Sequence, residues 1–175
     1  MTDDTLNGLN PFAQRFLETL LGDFPDWARY ATIGSIYPRV NPAEAGTLLM
    51  KIPRPGHSDD EEGLVLSTLG DDENVEITVE FGGTHNHIDE WWRPDGCEEP
   101  VSDFVIAEAI KLVRDIVEER IRVVSDWRNG VPIDGAFTEP APLGQPQTGC
   151  SGILWRSRSW LGTYDAEVDR RDEAA

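Results

Sequence analysis

Hydrophobic positions recur along the first thirty residues at helical spacing. Asn10 is a residue type that caps helices and Pro11 suits the first helical position, so a helix is expected to start there. Phe12, Phe16, Leu17, Leu20 and Leu21 then mark one apolar stripe. Gly22 and Pro25 interrupt it, and a second short turn is expected over 26–30. Three strand-like runs follow. The first, 47–52, ends at Pro53 and Pro55; the second is 63–69; the third, 75–81, is the clearest. There Val75, Ile77, Val79 and Phe81 alternate with Glu76, Thr78 and Glu80, the pattern of an antiparallel strand with one buried and one wet face. The polar connections are short, so a meander is the simplest pairing.

A longer helix is expected from Ser102 and Asp103, with Ile106, Ile110, Val113, Val117 and Ile121 on its buried side and Glu108, Asp115 and Glu119 largely on its wet side. The stretch 121–127 reads as a strand. Asn129-Gly130 is a strong hairpin signal before a further strand at 131–137. A loop with three prolines and three glycines, 138–152, separates this from a last strand at 153–160. The order predicts an α+β fold: an antiparallel sheet of about five or six strands, with one long helix and an N-terminal helix packed on one face. One domain is expected over 10–164, between a flexible start (1–9) and an acidic, disordered tail (165–175).

Composition narrows the function. The chain has 175 residues and is 39% hydrophobic, enough for a real core without disulfides or metal. Asp and Glu number 33 against 15 Lys and Arg, a formal charge of −18. That balance argues against binding a nucleic-acid backbone or an anionic membrane, and favours a basic protein partner. A solvated surface gives the same number, and so does a high-salt habitat, since lysine is confined to Lys51 and Lys111. The acidic first residues, with no apolar run behind them, lead to the expectation of a cytoplasmic protein. Cys97 and Cys150 are expected as free thiols there.

One segment carries candidate chemistry. Thr84-His85-Asn86-His87-Ile88-Asp89 is similar to the T-H-x-H-x-D-H motif of metallo-β-lactamase-type hydrolases, with Glu90 where the last histidine belongs. His85, His87 and Asp89 form a possible metal trio, with Glu90 as general base. His57 is the only other histidine and none follows position 87, so later ligands are missing. The alternative is one histidine packed on the sheet edge and the other bonded in the turn towards Trp91 and Trp92. The runs Asp59-Asp60-Glu61-Glu62 and Asp71-Asp72-Glu73 fit solvated turns, or carboxylates offered to a cationic partner. Trp91, Trp92, Trp127, Trp155 and Trp160 are a heavy aromatic load, and Arg156 and Arg158 interleave the last pair. Interface anchors and cation–π packing both account for that. No nucleophile motif, phosphate loop or dinucleotide fingerprint is present.

Three segments together resemble small bacterial immunity proteins associated with polymorphic toxins: 77–87 running to Trp91, 123–130, and 158–165. The likeness spans about 47–165. It implies an inert binder that occludes a toxin, without cofactor and with no catalytic residue. The expectation is therefore a non-enzymatic acidic protein that neutralises a basic toxin or other cationic partner. Its candidate contacts are Asp59, Asp60, Glu61, Glu62, Asp89, Glu90, Trp91, Trp92, Glu98 and Glu99. The alternatives are a metal-dependent hydrolase and a nucleic-acid mimic of phage or mobile-element origin.

Overall fold

A computed structural model describes residues 8–34, 46–57, 63–70, 74–140 and 153–169. It is an α+β fold. Helix α1 (Pro11–Asp23) leads through a 3-10 turn (Pro25–Tyr30) into strands β1 (Ala31–Ile33), β2 (Leu48–Ile52), β3 (Leu64–Leu69), β4 (Glu76–Phe81) and β5 (Thr84–Ile88). A 3-10 turn (Glu90–Trp92) precedes helix α2 (Val101–Val117), and strands β6 (Arg122–Arg128), β7 (Val131–Thr138), β8 (Leu154–Arg158) and β9 (Ala166–Asp169) follow. The first five strands make one antiparallel sheet in sequential order. The last four make a second, ordered β7-β6-β8-β9.

The N-terminal helix starts where the sequence places it. Asn10 Oδ1 accepts the Ala13 N–H at 2.8 Å, meeting one of the first-turn donors that no carbonyl reaches. The Asn10 amide also donates to the Gly70 carbonyl at 3.1 Å, which ties the helix to the end of β3. Helix α2 begins one residue before Ser102, and Pro100 stands at its cap with no side-chain hydrogen bond. Its buried stripe includes Phe104, Val105, Ala109 and Ile116 beside Ile106, Ile110 and Val113. The helix ends at Val117, so Ile121 lies beyond it rather than on its stripe. Ion pairs Arg15–Asp103 (3.1 Å) and Arg114–Asp23 (2.6 Å) join the starts and ends of α1 and α2, which therefore run side by side in the same direction.

The main core lies between the helices and one face of the five-stranded sheet. Phe12, Phe16, Leu17 and Leu20 share it with Ile77, Val79, Phe81 and Ile88. Alternation along β4 holds at Ile77, Val79 and Phe81, which are buried, and at Glu76 and Glu80, which are half exposed; Thr78, expected on the wet face, is buried instead, with its hydroxyl bonded to Glu76. Three strands were not anticipated. Two of them, β1 and β5, are the edges of the first sheet. The third, β9, takes Ala166–Asp169 out of the expected tail by pairing with β8. Residues 170–175 are outside the described residues.

The hairpin between β4 and β5 is where the sheets meet. Gly82 and Gly83 both have positive φ, 59° and 84°. A side chain at Gly82 would press on Val123 and Arg158 (3.2 Å to each Cβ), and one at Gly83 would meet the Trp127 ring at 2.5 Å. Ser125 donates its hydroxyl to the Gly82 carbonyl at 3.1 Å, and Trp127 Nε1–H donates to Ser125 Oγ at 2.8 Å. Glycine is needed here for close approach as well as for backbone conformation.

Candidate binding surface

Between β5 and α2 the chain presents two adjacent tryptophans to solvent. Trp91 is 85% exposed and Trp92 45%. A tryptophan this exposed leaves a large apolar ring in water, which is uncommon and marks interaction surfaces when polar groups surround it. The display is held locally. Asp89 Oδ1 accepts the Trp91 N–H at 2.9 Å and so caps the Glu90–Trp92 turn. Arg93 then donates through Nη2 to the carbonyls of both Cys97 and Glu99, drawing the following loop into a closed bend. The Cys97 N–H donates to the Pro94 carbonyl at 3.2 Å inside that bend. Glu90, Asp95, Glu98 and Glu99 are exposed along it.

Of the expected contacts, then, Asp89, Glu90, Trp91, Trp92, Glu98 and Glu99 lie on one short connection ordered by Asp89 and Arg93. Asp59, Asp60, Glu61 and Glu62 are outside the described residues, as are 71–73 and Cys150. Cys97 is a half-buried free thiol. Nothing in the local sequence distinguishes Arg93 as the organising side chain, because its acceptors are backbone carbonyls.

Both histidines lie within β5, at the edge of the first sheet. In β5, His85 pairs with Glu80 and His87 with Thr78, so both rings share the face opposite the core with Glu76, Thr78 and Glu80. His87 Nδ1 lies 2.6 Å from Glu76 Oε1, and the Thr78 hydroxyl donates to the same oxygen at 3.0 Å. The two imidazoles meet edge to face with centroids 4.8 Å apart. Asp89 is turned to its capping role. Among the described residues no three His, Cys, Asp or Glu side chains are grouped so as to hold a metal ion. The histidine expected to hydrogen-bond in the turn leading to Trp91 and Trp92 bonds across the sheet instead, His87 to Glu76, and Asp89 caps the turn.

Trp127 and Trp160 are packed. Trp160 is buried against Trp27 and Phe81, with centroids at 6.1 Å and 5.9 Å. Arg156 stacks over the Trp127 ring at 4.4 Å, and both Arg156 and Arg158 pair with Glu167 on β9. Arg156, Arg158 and Trp160 therefore supply the cation–π contact, ion pairing and packing, which favours that reading of these three residues. No helix among the described residues is long and apolar enough to cross a membrane.

Comparison with protein-family models, with curated proteins and with solved structures finds no match to the chain.

Proposed function

We propose that the protein is a non-enzymatic binder of the immunity type, which neutralises a basic toxin domain or similar cationic protein by covering its working surface. The observation that carries this reading is the Trp91–Trp92 pair, exposed on a turn whose backbone is already set by Asp89 and Arg93. Tryptophan is the residue most enriched among side chains that dominate binding energy, and it fills a partner's pocket with little loss of rotamer freedom. A preformed turn reduces the ordering cost of association. Glu90, Asp95, Glu98 and Glu99 around the rings, within a chain of charge −18, complement arginine and lysine on the partner and speed encounter.

The test is co-expression. The full chain is used to capture its partner from the native host, and the captured protein is identified and expressed in a sensitive strain with and without this chain. Wild type is expected to restore growth and Trp91→Ala/Trp92→Ala to fail, with both proteins equally abundant. Growth arrest that the wild type does not relieve would end this reading. Relief retained by the double variant would remove the tryptophans from it.

A further inference from the structure

The second sheet buries a cation that meets no counter-charge among the described residues. Arg122, the first residue of β6, is only 7% exposed. Its Nε and Nη1 are sealed from solvent and meet no hydrogen-bond acceptor, and no carboxylate reaches the guanidinium among the described residues. In the same sheet Arg156 and Arg158 both have a carboxylate, Glu167, within ion-pair distance, although Arg156 Nε, like Arg122 Nε, is sealed without a well-aligned hydrogen-bond acceptor. A guanidinium withdrawn from water is strongly unfavourable unless its donors are met, and buried polar groups almost always are. A chain with 33 acidic residues has had ample means to pair it.

A second unsatisfied donor lies on the same face. Val123 points into the core, so Arg122 and Val124 point to the opposite side of the sheet. Ser157 of β8 is the cross-strand partner of Val124, and Thr138 of β7 is the partner of Arg122. Ser157 is fully buried and its hydroxyl also lacks a partner. Register therefore sets Arg122 and Ser157 diagonally across one sheet face, about 7–8 Å apart at the backbone, a gap that an arginine stem spans. The guanidinium can only donate and the Ser157 hydroxyl can donate as well as accept, so an acceptor-rich anion would satisfy both.

We propose that Arg122 and Ser157 form a binding site for a small oxyanion, phosphate in the first instance, on the face of the second sheet turned away from the core. The guanidinium supplies charge and a forked pair of N–H donors, and Ser157 supplies a hydroxyl donor from the neighbouring strand. This site is separate from the tryptophan turn, and neither depends on the other.

Isothermal titration of the full chain with inorganic phosphate, at constant ionic strength held with chloride, tests it. One saturable site is expected, with a matching saturable rise in Tm. Ser157→Ala should weaken phosphate binding about tenfold, the equivalent of one hydrogen bond to a charged group. Arg122→Met should abolish it while keeping the stem's volume, and should be no less stable than wild type in phosphate-free buffer. Should Arg122→Met not fold, Ser157→Ala alone carries the test. Acetate is titrated in parallel: tighter acetate than phosphate binding, lost in the same variants, would keep the oxyanion site and assign its occupant as a carboxylate. Absence of saturable uptake of either anion, or uptake unchanged in both variants, overturns the proposal.

Discussion

Arg54 and Asp165, separated by 111 positions in the chain, are joined at 2.5 Å through Arg54 Nη2 and Asp165 Oδ2. Arg54 is 1% exposed, and its Nε–H donates to the Trp160 carbonyl at 3.3 Å. Asp165 meanwhile accepts the Ser159 N–H at 3.0 Å through its other oxygen. One ion pair thus holds the turn between β8 and β9 against the end of β2. Removing one member of a buried pair costs about 3–5 kcal/mol where nothing else meets the remaining charge, and less where other groups do, as the Trp160 carbonyl does for Arg54. Asp165 keeps partial contact with water, so Asp165→Ala is expected near the lower bound, about 3 kcal/mol. Urea denaturation checks this, and Arg54→Met/Asp165→Ala should lose less than the two single changes summed.

The approach of Trp127 to Gly83 separates two costs of replacing a glycine. Gly83 and Gly56 have similar φ, 84° and 77°, but a side chain at Gly56 meets nothing within 4 Å. Gly56→Ala should therefore cost only the backbone term, about 1 kcal/mol. Gly83→Ala must in addition displace the Trp127 ring and with it the bond to Ser125, for a further loss of about 1–3 kcal/mol. Equal losses in denaturant midpoints at constant slope would show that Trp127 does not seal the hairpin.

Glu119 links the end of α2 to the β8–β9 turn. Its Oε1 accepts the N–H groups of Leu161 at 2.8 Å and Thr163 at 3.4 Å. Burial alone would raise its pKa, but hydrogen bonds from the Thr163 and Ser159 hydroxyls and from those two amides outweigh it, and the pKa is lowered. A carboxyl whose folded pKa lies below its unfolded value binds protons more readily when unfolded. Its contribution is therefore present above the ordinary value of 4.5 and lost as pH falls through the lower, folded one. Glu119→Gln is expected to be less stable at neutral pH and to show a shallower acid-side loss than wild type. Parallel stability–pH curves for the two proteins would contradict this.

Exposure divides the tryptophans by consequence. Trp91→Ala should change stability by no more than about 0.5 kcal/mol, since its ring contributes little to the folded interior. Trp160→Ala, in contact with Trp27 and Phe81, should cost about 3–5 kcal/mol. Calorimetric unfolding of the two variants distinguishes them, and a large loss at Trp91 would mean that its turn supports the fold rather than a partner.

Strands with a buried face were legible and strands without one were not. Along β4 the alternation of Ile77, Val79 and Phe81 with polar residues is written in the chain because one face meets the core. The Asn129-Gly130 hairpin was equally plain, since both residues adopt the positive φ that the turn requires, 54° and 77°. Strand β5 carries Thr84, His85, Asn86 and His87, polar on both faces, and is a strand because β4 offers it an edge. Strand β9 likewise exists through its pairing with β8. At the candidate surface, the residue types at 89–92 suggested contact, while the carbonyl acceptors of Arg93 left no trace in sequence spacing.

By itself the sequence determined the α+β class, the two helices, the β2-β3-β4 meander and the excess of negative charge, because each follows from local periodicity, turn chemistry or simple composition. Tertiary structure alone decided that the strands divide between two sheets, that Arg54 and Arg122 are buried, and that Trp91 stays in water while Trp160 does not. Whether a side chain is buried depends on residues far away in the chain, as Asp165 is from Arg54 at 111 positions, and no pattern along the chain encodes that distance.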